Sequence, residues 1–248
     1  MRFKTLAWDS SHATWLVERA RGSIHPADLY SARFFVGISL KNASFSNRWI
    51  EAVLRDVVRL MGSVTFSIVD GPYFTSAYHE VPASEYEAVR TRLERIRGQA
   101  YARVSASRRL VACRSDIVDW SELASCVGPE IVGEIKSAFS RRGRFYKAVV
   151  AQTESAKVMR MVGSPESYCS FLLNELPTLI HIYYRLYPGW IDVYPGPSSP
   201  LVWEIDALRF RKELPLITAM AEANPPLTHA EVEVVRRRTR DRVAAGRR

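Results

Sequence analysis

Phe34-Phe35-Val36-Gly37-Ile38-Ser39-Leu40-Lys41-Asn42 is an apolar run that stops at a serine and leads into an amphipathic helix. Phe34 to Ile38 are the β-branched and aromatic residues that a buried strand prefers, and Gly37 omits a side chain where something must approach closely. From Ser46 the period changes. Trp49, Ile50, Val53, Val57 and Leu60 fall on one helical stripe, and Val64-Thr65-Phe66-Ser67-Ile68-Val69 reads as a second strand. Strand, helix and strand make a βαβ unit. Open parallel sheets bind ligands beyond the carboxyl ends of their strands, where both Ser39 and the turn Asp70-Gly71-Pro72-Tyr73 fall. Ser39 is thereby a candidate nucleophile; the alternative is a serine that ends a strand and caps a turn.

The nucleophile elbow of α/β-hydrolases has the pattern Gly-x-Ser-x-Gly, and here the second glycine is Lys41. A lysine argues against the strained elbow and puts a cation beside the serine, as suits a polyanionic substrate. His12, His25, His79, His181 and His229 show no Ser-His-Asp order. Only His181 lies in an apolar helical pattern, and such histidines are mostly core residues. A base for Ser39 must then come from elsewhere. The segment 164–186 predicts a helix, with Ser164 as N-cap, Pro165 at its first position and Glu166 in its first turn. Tyr168, Phe171, Leu172, Leu179, Ile182 and Tyr183 make it apolar over much of its surface, so it should be central and largely buried. Glu175 sits inside that run, and a carboxylate there is paired, open to a cavity or shifted in pKa; the alternative is a solvated helix edge. Pro177 cannot donate to the carbonyl of Leu173, which weakens the helix beside the acid.

Trp190-Ile191-Asp192-Val193-Tyr194-Pro195-Gly196-Pro197 is another short strand running into a turn. If it joins the same sheet in parallel, Tyr194 also emerges at the carboxyl edge, where serine, glutamate and tyrosine can share a pocket. Gly37-x-Ser39-x-x-Asn42, Asp70-Gly71-Pro72-Tyr73, Glu175-Leu176-Pro177 and Tyr194-Pro195, in this order and spacing, resemble the cyclodipeptide synthases, which use two aminoacyl-tRNAs to make a cyclic dipeptide. The resemblance spans nearly the whole chain. It implies an α/β fold: a single Rossmann-like domain with a parallel sheet flanked by helices, similar to the catalytic domain of class I tyrosyl- and tryptophanyl-tRNA synthetases. It implies that Ser39 carries the aminoacyl group, that Glu175 holds its amino group and helps proton transfer, and that Tyr194 assists cyclisation. Gly37, Phe35, Asn42, Phe171, Tyr168 and Pro195 are the expected substrate-binding residues. No ATP and no cofactor are expected, since neither a His-Ile-Gly-His nor a Lys-Met-Ser-Lys-Ser segment occurs.

The chain departs from the family at one catalytic position. A tyrosine usually precedes the glutamate by one helical turn, where this chain has Phe171, so a hydroxyl-mediated hydrogen bond is lost. Tyr168 lies seven residues before Glu175 on the same side, but that is roughly 10 Å along the helix. The two subgroups of the family differ at the asparagine and at the residue after the tyrosine. This chain combines Asn42 with Pro195, and Pro195 leans it toward the proline-type group.

Charge agrees with an RNA partner. The 248 residues carry a formal charge of +9, and 47% hydrophobic residues supply the core of one well-buried domain. Between Ser84 and Arg109, Tyr86, Val89, Leu93, Ile96 and Ala100 form an apolar stripe, Arg92, Arg95 and Arg103 share another face, and Arg90 and Arg97 flank it. A basic helix at this place binds tRNA in the family; the alternative is a solvated face with Glu85, Glu87 and Glu94 as partners. Further basic clusters lie at Arg141-Arg142-Gly143-Arg144 with Lys147, and at Arg236 to Arg240. Cys113, Cys126 and Cys169 are odd in number and lack metal spacing, which reads as reduced thiols in the cytoplasm with no metal site. No apolar run suits a signal peptide or a membrane span. Leu110-Val111-Ala112-Cys113 looks like a further strand and Asp116 to Trp120 a connection. Residues 1–248 read as one domain, monomeric, with an amino-terminal arm and a basic tail over 228–248.

Two rivals remain at this level. A serine hydrolase or acyltransferase would turn over simple esters without needing the arginine helix. A non-catalytic tRNA-binding protein would keep the arginines but be indifferent to Ser39→Ala.

Overall fold

The computed structural model describes residues 4–40, 42–74, 81–155, 165–196 and 199–234. The βαβ unit is present as read: β3 (Arg33–Ser39), α1 (Asn47–Arg59) and β4 (Ser63–Val69), with β3 and β4 parallel and Ser39 opposite Val69. Ser46 caps α1 by accepting from the amide of Trp49 at 3.2 Å, and the stripe Trp49, Ile50, Val53, Val57 and Leu60 is buried. With β1 (Lys4–Asp9), β2 (Ala13–Arg19), β5 (Ser115–Asp119), β6 (Ile191–Tyr194) and β7 (Thr228–Val234), these strands form a seven-stranded sheet in the order β1-β2-β7-β6-β3-β4-β5. Strand β6 joins β3 in parallel, which meets the condition for Tyr194 to emerge at the carboxyl edge, and pairs Phe34 with Ile191 and Phe35 with Asp192.

The sheet is parallel only from β7 to β5. The expected amino-terminal arm is the antiparallel hairpin β1–β2, whose second strand pairs antiparallel with β7. Its anchor is Asp56 of α1, fully buried, which accepts from Ser10 Oγ at 2.6 Å and from Trp15 Nε1 at 2.9 Å. The tail expected over 228–248 likewise begins too early. Thr228, Ala230 and Val232 alternate into the core while β7 lies between β2 and β6, a period-two signal that the neighbouring Pro and Arg runs mask. Residues 235–248, with the arginine cluster from 236, lie outside the described residues.

Two further expectations shift. Leu110 to Cys113 is not a strand, because α2 (Ala83–Leu110) runs to Leu110. The strand is β5 at 115–119, where a connection was expected, and it leads straight into α3 (Trp120–Ser125). The late helix, α6 (Pro165–His181), accommodates Pro177 but passes into a π-helical turn, Ile182–Leu186, rather than staying regular to residue 186. The described residues also include helices α4 (Pro129–Ser140), α5 (Arg144–Ser155), α7 (Pro200–Asp206) and α8 (Pro215–Ala223). One face of the sheet packs Phe34, Val36 and Ile38 against α1. On the other, Phe35 and Val69 meet Trp120, Leu123 and Ile182. No helix among the described residues is long and apolar enough to cross a membrane.

Candidate active site

Ser39 is the last residue of β3, so its side chain leaves the sheet at the carboxyl end. After β4 the chain turns at Asp70, whose carbonyl accepts from the amides of Tyr73 at 3.0 Å and Phe74 at 3.2 Å. A Cβ at Gly71 would stand 2.5 Å from Trp120 Cδ1, so only glycine lets this turn lie against α3. The turn brings the Tyr73 hydroxyl 2.5 Å from Ser39 Oγ. The ring of Tyr73 meets Phe171 of α6 edge to face at 4.9 Å between centroids. Phe171 therefore reaches the serine through Tyr73.

On the other flank, Asn42 Oδ1 accepts from the amide of Ser44 at 2.9 Å, which leaves Nδ2 to donate to the Tyr194 hydroxyl at 3.1 Å. The Tyr194 ring packs edge-on against Phe45 at 5.1 Å. Ser39, Asn42, Phe171 and Tyr194 are thus brought to one end of the sheet. Pro195 follows Tyr194 and is half-buried. Gly37 serves packing: a Cβ there would meet Val69 Cγ2 at 3.3 Å. Phe35 is deeper, buried beside Ile182 and Trp120 and tilted against Tyr187. Lys41 and the side chain of Tyr168 lie outside the described residues.

A group of titratable side chains gathers around Asp192 of β6. Burial, and then the charge of Asp192, push Glu175 up to about 7. Tyr183, in the π turn, is raised well above the usual phenol range by burial, by the charges of Asp192 and Glu175, and by its hydrogen bond to Asp192. His229 of β7 faces Asp192 across paired strands, with Nδ1 2.9 Å from Asp192 Oδ2 and Nε2 3.1 Å from the carbonyl of Gly196. Burial works against a charged imidazole, yet the Asp192 bond and charge and the Gly196 carbonyl outweigh it and raise its pKa. Both partners are acceptors, an arrangement that favours the doubly protonated ring.

Sequence reasoning passed over Tyr73 as a site residue and missed Asp192, Tyr183 and His229. A lone carboxylate inside the apolar 190–194 strand was the available signal for Asp192. Of the histidines only His181 stood out in the sequence, as a core residue, and it is buried with no hydrogen-bond partner for either ring nitrogen among the described residues. Its pKa is lowered by burial and by Arg185.

Along the continuous helix α2, Arg92, Arg95 and Arg103 fall on one side and Arg90 and Arg97 on another, with Leu93, Ala100 and Val104 buried. Arg97 pairs with Asp70 at 3.2 Å and sits over the ring of Phe74. Arg103 donates to the carbonyl of Phe45 at 3.1 Å. Arg90 pairs with Glu94 and Glu87. Arg92 and Arg95 are exposed. Arg97 and Arg103 thus pin the helix to the loops that carry Tyr73 and Phe45. Among the described residues no group of His, Cys, Asp or Glu is arranged to hold a metal ion.

No protein-family profile matches the chain, and no curated protein sequence matches it. Solved structures do, and they show that the chain has the fold of the cyclodipeptide synthases. A cyclodipeptide synthase from Fluoribacter dumoffii superposes with a TM-score of 0.65 at 11% identity, covering 88% of this chain and 98% of that one. A Mycobacterium tuberculosis protein, whose structure relates cyclodipeptide synthetases to type I tRNA synthetases, gives 0.57 at 14% identity over 95% of this chain and 99% of its own. A cyclodipeptide synthase from Candidatus Glomeribacter gigasporarum, solved with Phe-tRNA bound, gives 0.55 at 15% identity over 87% and 93%.

Proposed function

We propose that this chain is a tRNA-dependent cyclodipeptide synthase of the proline-type group that joins two aminoacyl groups by ping-pong chemistry on Ser39. The observation that carries this reading is the bracket around that serine: Tyr73 at 2.5 Å on one side, and the Asn42–Tyr194 pair on the other, at the carboxyl end of β3. Ser39 Oγ attacks the ester carbonyl of a first aminoacyl-tRNA. The Oγ–carbonyl bond forms, the bond to the ribose oxygen breaks, and the serine proton passes through the Tyr73 hydroxyl to the departing ribose. The ester is already activated, so ATP has no role. Glu175, with a pKa of about 7, is close to that of an α-amino group, about 7.7–8.0, so it exchanges a proton with the aminoacyl amine at little cost. That amine attacks the second aminoacyl-tRNA, forming an amide and releasing the second tRNA. The new terminal amine then attacks the Ser39 ester; its proton returns to Oγ with help from Tyr194, and the diketopiperazine leaves.

Ser39 Oγ is bonded to a tyrosine rather than an imidazole, which favours transfer between esters over a Ser-His hydrolase. The test is incubation of the purified protein with a pool of aminoacyl-tRNAs and mass spectrometry of small products. A cyclic dipeptide is expected from the wild type and none from Ser39→Ala. Product from Ser39→Ala at the wild-type rate, or chromogenic ester hydrolysis without any cyclic dipeptide, would overturn the proposal.

A further inference from the structure

Tyr194 is the last residue of β6, and its backbone is held from one side. Among the described residues the register pairs β6 with β3 only at Ile191 and Asp192, whereas β7 runs beside it from Ile191 to Tyr194. Pro195 then has no N–H to extend either ladder. Past that point a side chain takes over. His229 of β7, 1% exposed, sets Nε2 3.1 Å from the carbonyl of Gly196 and Nδ1 2.9 Å from Asp192 Oδ2. Gly196 lies against the Tyr194 ring, since a Cβ on it would stand 3.9 Å from Tyr194 Cδ1. The Tyr194 hydroxyl meanwhile accepts from Asn42 Nδ2 at 3.1 Å, and the ring meets Phe45 at 5.1 Å. The tyrosine is thus held from two sides, by the loop after β3 and by the turn that His229 fixes. A buried ion pair is a poor source of stability, because desolvation cancels most of the attraction, so its placement at this strand end calls for another reason.

We propose that His229 is a positioning residue: tied to Asp192, it straps down the turn after β6 by the Gly196 carbonyl and so keeps the Tyr194 hydroxyl at Asn42, where it serves ring closure. The bearing on ring closure rests on the cyclodipeptide synthase reading. Only the doubly protonated ring donates to both acceptors. A neutral ring has one N–H, which the carboxylate claims, and its other nitrogen then turns a lone pair on the Gly196 carbonyl. The strap therefore weakens as pH rises through the His229 midpoint. Burial lowers that midpoint, but the Asp192 bond and charge and the Gly196 carbonyl together raise it above the ordinary 6.5. The groups facing the ring are Asp192 on β6, Glu18 opposite it on β2, and Tyr183, which bonds Asp192 from the π turn. Glu175 of α6 acts on Tyr183 through its charge.

Two readouts separate this inference from the functional reading. The first needs no substrate: NMR titration of the full chain labelled with nitrogen-15 at histidine rings and carbon-13 at tyrosine rings, with His229 and Tyr194 assigned by their loss in His229→Gln and Tyr194→Phe. Both His229 nitrogens should carry protons below its midpoint, and the Tyr194 signal should shift at that same midpoint. The second is the pH profile of single-turnover cyclic dipeptide release, set against that of acyl-enzyme formation. His229→Gln keeps a donor for Gly196 that does not titrate, so the Tyr194 shift and the alkaline decline of release should both disappear. His229→Leu should slow release roughly tenfold, the loss of one hydrogen bond, while Ser39 is still acylated. If His229→Leu strands the Asp192 charge and fails to fold, the charge-free pair His229→Leu with Asp192→Asn carries the same expectation. A Tyr194 shift coupled to His229 in a protein making no cyclic dipeptide would uphold the strap and sink the synthase reading. A Tyr194 signal indifferent to the His229 titration would overturn the strap whether or not product forms, and so would an alkaline decline left unchanged by His229→Gln.

Discussion

Tyr73 separates what a single hydroxyl does from what its ring does. The ring is held by Phe171, so Tyr73→Phe keeps that packing and removes the 2.5 Å bond to Ser39. A hydrogen bond to a group that gains charge during reaction contributes about 1.5–3 kcal/mol, so the rate of acyl-enzyme formation should fall about 10- to 100-fold with melting temperature little changed. An unaltered rate would make Tyr73 a packing residue. Glu175 gives a prediction of opposite kind, in which the variant is the more stable protein. Its folded pKa of about 7 lies above the ordinary 4.5, so the folded state binds the proton more tightly and stability falls as pH rises from 4.5 through 7. Glu175→Gln removes that loss. The variant and wild type should unfold at similar urea concentrations at pH 5, and at pH 8 the variant should be more stable by up to about 3 kcal/mol. Equal stability at both pH values would place the Glu175 carboxyl in water. Ser39, Glu175 and Tyr194 stood out as candidates in the sequence because each interrupts or ends an apolar run. His229 did not, since its meaning depends on Asp192, a partner 37 residues away in sequence.

At the scale of elements, periodicity located β3, α1, β4, α2 and β6, because each carries a stripe or an alternation long enough to stand above its neighbours. It failed at β5, where Ser115-Asp116-Ile117-Val118-Asp119 has only two apolar residues, and at the π turn, which no local pattern announces. Spacing alone does not show which arginines of α2 are already bound within the fold. The arginines of that helix divide between two tasks, which bears on how its role in tRNA capture is tested. Arg97 and Arg103 are bound to Asp70 and to the carbonyl of Phe45, so replacing either disturbs the loops around Ser39. Arg92 and Arg95 are exposed, and their joint replacement by alanine is the clean variant. If both meet phosphates, the dependence of log affinity on log salt should flatten by nearly two units in total, and turnover should recover at low salt because capture rather than bond making is impaired. Arg97→Ala should instead lower turnover at saturating tRNA. Wild-type affinity and salt slope in the Arg92/Arg95 variant would assign that flank of α2 to solvent.

Across the whole molecule, the part of the sheet that local sequence could not reveal is the part closed by its most distant contacts. The hairpin β1–β2 joins the ladder of parallel strands through β7, and Arg19 Nε donates to Thr228 Oγ1 across 209 residues at 2.9 Å. Neither partner carries a sign of the other, and an alternating heptapeptide next to a proline pair reads as a loose end until both of its neighbours are present. Strand β7 also carries His229, so the same seven residues that join the two parts of the sheet fix the Asp192 carboxylate and hold the Gly196 carbonyl. Stability and the site should therefore be lost together. A chain stopped after Leu227 would leave Val17 and Val193, both fully buried, without the strand that separates and covers them, and would strip the ladder bonds from one edge of β6. It should show no cooperative thermal transition by near-ultraviolet circular dichroism and form no acyl-enzyme. Ala230→Asp, which puts a carboxylate at a fully buried position of β7 while keeping the chain length, should cost more than about 3 kcal/mol and reproduce the loss. A chain ending at Leu227 that melted cooperatively near the wild-type temperature would return residues 228–234 to the status of a tail and remove the structural basis for His229 acting at the site.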